Sequence, residues 1–201
     1  GTHAFVAKSV LTLRTDGRSD DLVTTDELPL LGRHNLANAL AASITARLAG
    51  ANLEGLRSGL RTALPLPHRL EPVADLGAVL WVNDSKATNV AATRSALQSL
   101  DRPVVLLVGG KDKGEDFSRL VPDGADVRAV IAYGDAGARI TSESSGSEMV
   151  AGGLEGAVRR AVAVARAGDV LLLSPACSSF DEFQDYGERG RVFTALARAS
   201  A

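Results

Sequence analysis

Hydrophobic and polar positions follow three different rhythms along this chain, and the changes of rhythm set the expected architecture. In Phe5-Val6-Ala7-Lys8-Ser9-Val10-Leu11-Thr12-Leu13-Arg14 the composition is β-type and predicts strand. The polar stretch 15–21 predicts a loop, and Leu22-Val23-Thr24-Thr25 an edge strand. These pieces are too few to bury one another and read as the tail of a larger sheet. Leu36, Leu40, Ile44 and Leu48 then recur at every fourth position, with Ala37 and Ala41 beside them and Gly50 as a stop, which predicts a helix. Asn52 is placed to cap a second helix carrying Leu53, Leu56, Leu60 and Leu64. Pro65-Leu66-Pro67 cannot continue it and reads as a linker, so the domains are expected at 1–66 and 67–201.

From there strands and helices alternate. Glu71-Pro72-Val73 and Val79-Leu80-Trp81-Val82 predict two strands joined around Asp75-Leu76-Gly77, with Trp81 in the core. A helix is expected over residues 89–100, with Val90, Thr93, Leu97 and Leu100 on one face. Val104-Val105-Leu106-Leu107-Val108 is continuously apolar, the pattern of a strand buried on both faces. Residues 128–133 and 170–173 repeat it, and Leu154, Val158, Ala161, Val162 and Ala165 between them keep helical spacing. Residues 141–147 read as a low-complexity loop. The alternation implies an α/β fold with a mostly parallel sheet, preceded by a separate strand and helix tail.

Composition narrows the function classes. The 201 residues are 45% hydrophobic and 23% charged, enough for a core and for solubility. A net charge of −2 gives nucleic acid or an anionic membrane no attraction to work with. No apolar run reaches the roughly 18 residues of a membrane span. Gly1-Thr2-His3-Ala4-Phe5 has neither an initiator Met nor a signal-peptide pattern, so a piece of a longer cytoplasmic protein is expected. The single Cys177 allows neither an internal disulfide nor a cysteine zinc site; lying among small residues, it is expected to be a buried hydrophobe, not a nucleophile.

In an open parallel sheet, ligands bind beyond the carboxyl ends of the strands. Three of the expected strands end in unusual polar sequences: Asn83-Asp84-Ser85-Lys86-Ala87-Thr88-Asn89, Gly109-Gly110-Lys111-Asp112-Lys113-Gly114, and Ser174-Pro175-Ala176-Cys177-Ser178-Ser179-Phe180-Asp181. Each is expected to precede a helix, whose free N–H groups favour anions. Singly, each has a plainer explanation: Asp84 and Ser85 as helix caps, Gly109-Gly110 as an ordinary turn, Lys111 and Lys113 as solvated charges, and Asp181-Glu182 as a helix first turn. Their coincidence at three strand ends is what argues for a site. No Gly-x-x-x-x-Gly-Lys-Ser/Thr loop is present, so the chain has no phosphate cradle of its own.

At these residues, and at Leu66-Pro67-His68-Arg69 and Gly32-Arg33-His34-Asn35-Leu36-Ala37-Asn38, the sequence resembles the Mur ligase family. His34-Asn35-x-x-Asn38 is common to that family, whereas Asp84-Ser85-Lys86-Ala87-Thr88-Asn89 and Ser174-Pro175-Ala176-Cys177-Ser178-Ser179 resemble its D-glutamate-adding branch. The resemblance runs from about residue 30 to the end, and more loosely over 1–29. It implies ATP-dependent addition of D-glutamate to UDP-N-acetylmuramoyl-L-alanine through an acyl phosphate, in bacterial peptidoglycan synthesis. It also implies that 1–66 is the incomplete end of a central ATP-binding domain and 67–201 a Rossmann-like carboxyl-terminal domain, the two meeting at a hinge. The phosphate loop, the Mg2+ ligands and a carbamylated lysine would lie in upstream domains, leaving no metal ligand in this chain and no turnover by it alone.

Carried over by resemblance, Asn35, Asn38, His68 and Arg69 contact the nucleotide, Asp84 its ribose and Lys86 its phosphate side. Lys113 pairs with a D-glutamate carboxylate, Thr88 and Ser179 give hydroxyl donors, and Phe180 gives an N–H at a helix start. Tyr186 stands at an aromatic position that is Phe in some relatives. Lys113 and Arg69 are the expected catalytic pair, and His34 is expected beside the nucleotide. Two alternatives stay open: another amino-acid ligase of the superfamily, such as the folylpolyglutamate type, or a stand-alone nucleotide-binding module.

Overall fold

The computed structural model describes residues 1–200; the side chain of His34, and the expectation placed on it, lie outside the described residues. The chain divides into two compact units, Gly1–Pro65 and a second beginning at Leu66.

In the first unit β1 (Thr2–Ala7), β2 (Val10–Thr15) and β3 (Arg18–Thr24) form an antiparallel sheet in that order. The strand expected over 5–14 is therefore two strands, and most of the expected loop 15–21 is β3. Both differences share a cause. Each connection is a two-residue turn with positive φ at both positions, Lys8-Ser9 at 48° and 63° and Asp16-Gly17 at 49° and 85°. Such turns match the twist of a hairpin, but only Asp-Gly announces itself in sequence. Helices α1 (Arg33–Leu48) and α2 (Leu53–Arg61) share a core with this sheet, in which Leu11, Leu13, Leu22 and Val23 meet Ala39, Leu56 and Leu60. Asn52 caps α2 as expected, its Oδ1 accepting from Gly55 N at 2.7 Å. Leu64, expected on that helix, lies beyond its end and is 84% exposed. Pro65 disfavours helical backbone at the residue before it.

The second unit is built on β4 (Glu71–Leu76), β5 (Val79–Asn83), β6 (Val104–Gly109), β7 (Val127–Tyr133), β8 (Ser147–Met149) and β9 (Val170–Ala176). They form one sheet in the order β4-β5-β9-β6-β7-β8, parallel throughout except for the β4–β5 hairpin. That hairpin turns at Gly77-Ala78, so Asp75 and Leu76 belong to β4 and not to the connection. The helices are α3 (Val90–Gln98), α4 (Gly137–Glu143), α5 (Gly153–Val164) and α6 (Tyr186–Ala199). Every residue of β6 and β9 is buried, as continuous apolar runs require. Val105, Leu107, Leu171 and Leu173 pack with Leu154, Ala157, Val158 and Ala161 of α5, and Trp81 meets Phe193 of α6 at 5.7 Å between ring centroids.

Three details differ from expectation. Residues 141–147 include the end of α4 and the start of β8. Val162, expected on the inner face of α5, is 47% exposed. Strand β9 continues through Ser174-Pro175 to Ala176, with a register shift against β6 between Leu107 and Gly109. Two residues of β9 there oppose one of β6, and Pro175, which has no N–H to give, sits inside that bulge.

Candidate functional site

Strands β5, β9 and β6 are neighbours, so the segments leaving their carboxyl ends lie side by side along one rim. The segments are stitched together. Ala176 N donates to Ala87 O at 3.0 Å, and Lys111 N donates to Ser178 O at 2.8 Å. Ser178 Oγ donates back to Lys111 O at 3.2 Å.

From β5 the chain passes through a turn at Ser85-Lys86 to α3. Asn89 caps α3, its Oδ1 accepting from Ala92 N at 2.8 Å, which leaves Asp84 and Ser85 free of the capping role. After β6 comes a 3-10 turn at Phe117–Arg119, and after β9 a turn at 180–182, with α6 capped by Asp185. Phe180 is therefore corrected: it stands in a turn and is 71% exposed, not at a helix start. Asp181-Glu182 is likewise no first turn of α6. Instead, Glu182 accepts from Leu154 N at the start of α5 (3.1 and 3.2 Å), and Asp181 Oδ2 accepts from Asp135 N at 3.1 Å. These acids satisfy backbone donors of other segments.

Asp84 is buried. Its Oδ1 accepts from Leu70 N at 3.2 Å and its Oδ2 from Ser174 Oγ at 2.8 Å. Burial pushes its carboxyl up to about 7, against the smaller downward pull of those two hydrogen bonds and of the Arg69 charge. His68 O accepts from Lys86 N at 3.1 Å, so residues 68–70 are fastened to the Asp84 turn at both ends. His68 and Leu70 both have left-handed backbone (φ 62° and 41°), a strain these bonds hold in place. The His68 ring lies 3.1 Å from Asn83 Nδ2 and edge-on to Tyr186 at 6.1 Å. Above the Tyr186 ring sits Lys86 Nζ, 3.9 Å from the centroid.

The structure thus gathers His68, Arg69, Asp84, Lys86 and Tyr186 at the β5 end. Half-buried Thr88 lies on that segment, and buried Ser179 on the segment leaving β9. Lys113 is exposed on the loop leaving β6, where Lys111 pairs with Asp135 at 2.9 Å. Asn35 and Asn38 belong to α1 of the first unit; Asn35 Nδ2 donates to Leu31 O at 2.8 Å and Asn38 is exposed. Cys177 is buried and its thiol is pushed up to about 12, chiefly by burial, as expected of an inert side chain. Among the described residues, no group of three or more His, Cys, Asp or Glu could hold a metal.

Sequence reading passed over Arg189, which is fully buried on α6. Its Nε donates to Ser85 Oγ at 2.9 Å and its Nη2 to Ser85 O at 2.9 Å and Cys177 O at 3.1 Å. Its Nη1 donates to Ser178 O at 3.2 Å and lies 3.5 Å from Gly109 O. The available signal was the pair of glycines around it: Gly187 and Gly190 thin the helix where it packs, and a Cβ at Gly190 would lie 2.3 Å from His68 Nδ1.

A family model described as "Mur ligase, glutamate ligase domain" matches residues 68–177. The chain is 47% identical over 190 residues to the UDP-N-acetylmuramoylalanine--D-glutamate ligase of Salinibacter ruber, covering 92% of this chain and 41% of that protein. Among solved structures it resembles a UDP-N-acetylmuramoylalanyl-D-glutamyl-2,6-diaminopimelate--D-alanyl-D-alanyl ligase of Acinetobacter baumannii (TM-score 0.65, 18% identity, 98% of this chain and 43% of that one). It also resembles a bifunctional folylpolyglutamate synthase/dihydrofolate synthase of Yersinia pestis (TM-score 0.65, 18% identity, 94% and 44%). At such identity the two structures speak for the fold alone. The chain spans about two fifths of the length of the curated relatives it matches.

Proposed function

This chain belongs to the Mur ligase family through its glutamate ligase domain, and on that premise we propose that it is the carboxyl-terminal part of a bacterial, cytoplasmic, ATP-dependent ligase joining D-glutamate to UDP-N-acetylmuramoyl-L-alanine. The observation that carries the reading is the rim itself: cations and hydroxyls on three adjoining strand-end segments, in a chain 47% identical to a D-glutamate ligase.

In such a reaction ATP phosphorylates the substrate carboxylate, releasing ADP. The D-glutamate amine attacks the acyl carbon, and the tetrahedral intermediate expels phosphate. The second unit would supply the acceptor's binding site. Two carboxylates need fixed positive charge and donors, which Lys113, Thr88, Ser179 and the Phe180 N–H would provide. Lys86 and Arg69 would face the phosphates and His68 the base. Asp84 would take a ribose hydroxyl only on its uncommitted lone pairs, since each oxygen already accepts one bond. On this reading the phosphate cradle and the Mg2+ ligands would be supplied by the rest of the enzyme.

The test is kinetic, in the full-length ligase. Thr88→Ala and Lys113→Ala should each raise KM for D-glutamate about tenfold or more while leaving KM for ATP near wild type. Unchanged values for D-glutamate would refute the assigned pocket. Calorimetry on this chain adds a second check. Nucleotide binding that is weak or absent fits a domain needing its partner, whereas micromolar binding would favour a stand-alone nucleotide module.

A further inference from the structure

Arg189 is a buried charge with no carboxylate among its hydrogen-bond partners in the described residues. A guanidinium in that position is costly unless its N–H groups are met, and here neutral oxygens meet them. Those oxygens are Ser85 Oγ and O, Cys177 O and Ser178 O, with Gly109 O at the edge of reach. They come from the ends of all three strands that build the rim: β5, β9 and β6. A planar fork with five donors can hold three segments at fixed angles, which an ammonium cannot. Ser85 Oγ, which accepts from Nε, passes the link on by donating to Tyr186 O at 2.7 Å. The Asp84-Ser85-Lys86 turn is thereby fastened to the first turn of α6, where Tyr186 carries Lys86 on its ring. The segment leaving β6 closes on the same group: a Cβ at Gly110 would stand 3.0 Å from Arg189 Nη1.

We propose that Arg189 is a positioning residue: buried beneath the rim, it sets the mutual register of the segments that carry Thr88, Lys113 and Ser179, so that an acidic amino acid meets a preformed arrangement of charge and hydroxyls. This rests on reading the rim as the D-glutamate site, and the experiment separates the two claims.

Hydrogen exchange on this chain reads the register without any substrate. In Arg189→Lys the amides of 85–88, 109–113 and 177–180 exchange about tenfold faster or more, while those of β7 and α5 keep wild-type rates. In the full-length ligase the same variant raises KM for D-glutamate about tenfold or more, beyond any fall in melting temperature. Ser85→Ala, which removes the Nε contact and the bond to Tyr186 O but leaves every Nη contact in place, gives a smaller rise of the same kind. If Arg189→Lys lowers the melting temperature alone, with exchange at the three segments and KM within about twofold of wild type, Arg189 is a core residue and the inference is wrong. Should Arg189→Lys fail to fold, Ser85→Ala decides: faster exchange at 177–180 as well as 85–88 supports the role, and change confined to 85–88 overturns it. Loosening of the three segments in an enzyme that does not use D-glutamate would sustain the positioning role and defeat the functional reading.

Discussion

Ser174 Oγ donates to Asp84 Oδ2 at 2.8 Å, joining the end of β9 to the turn after β5, while the other carboxylate oxygen holds Leu70 N at 3.2 Å. One buried acid thus ties the entry segment of the second unit to two strands of its sheet. Burial raises that carboxyl to about 7, so the folded chain keeps a proton that the unfolded chain releases near its ordinary value of 3.8. The sign follows from linkage: between those values the folded state binds more protons, so stability falls as pH rises. Asp84→Asn removes this slope and retains a donor and an acceptor. The variant is expected to gain about 2–4 °C or more in melting temperature over wild type between about pH 5 and pH 8. Parallel curves would show that Asp84 is ionised throughout.

Lys86 Nζ stands 3.9 Å from the centroid of the Tyr186 ring, an arrangement that depends on the π face and not on the hydroxyl. Tyr186→Phe should therefore leave D-glutamate kinetics of the full-length ligase within about twofold. Tyr186→Leu releases the ammonium and should reduce kcat/KM about fivefold, the upper worth of an exposed cation–π contact. A loss in Tyr186→Phe as large as in Tyr186→Leu would move the role to the hydroxyl.

The parts of this fold written in hydrophobic pattern were legible before the structure. Val104 to Val108 has the pattern of a strand covered on both faces, and Asn52 could be read as a cap because capping needs one oxygen at one position. The polar end of β9 was not legible, since Ser174-Pro175 enters the sheet through a bulge that no periodicity marks. The acids at 181 and 182 serve backbone donors of distant segments and not a helix first turn, because a carboxylate satisfies any nearby N–H, and sequence records neighbours along the chain only. Arg189 was illegible for a deeper reason. Burial of a charge depends on acceptors from three distant segments, of which the flanking Gly187 and Gly190 give only the space.

Gly110 carries φ 126°, and a Cβ there would lie 2.3 Å from Ser178 O as well as close to Arg189. Both the backbone and the space forbid a side chain. Gly110→Ala is expected to cost about 2 kcal/mol or more in urea unfolding and to loosen the Lys111–Ser178 bridge. Gly168 has positive φ too, at 96°, but open space around its Cβ position, so Gly168→Ala should cost only about 1 kcal/mol. Equal costs at the two positions would mean that conformation alone matters and the close approach does not.

At the other end of the sheet the same strand is anchored by a different charge. Asp169, 1% exposed, takes a forked pair of bonds from Arg128, at 2.5 Å from Nε and 2.9 Å from Nη2, and a third from Arg166 N at 2.8 Å. The Arg128 hydrogen bonds, and after them the Arg166 N–H, hold its carboxyl below the usual range against the opposing effect of burial. A depressed value means the ionised form is favoured in the fold. Its stabilisation is therefore fully present above about pH 4 and is lost as pH falls through the lower folded value. Asp169→Asn should lower the melting temperature by about 4 °C or more at neutral pH, and the gap to wild type should close on acidification below about pH 4. A gap that stayed constant into strong acid would show that the shape of the side chain, and not its charge, holds β9 at that end.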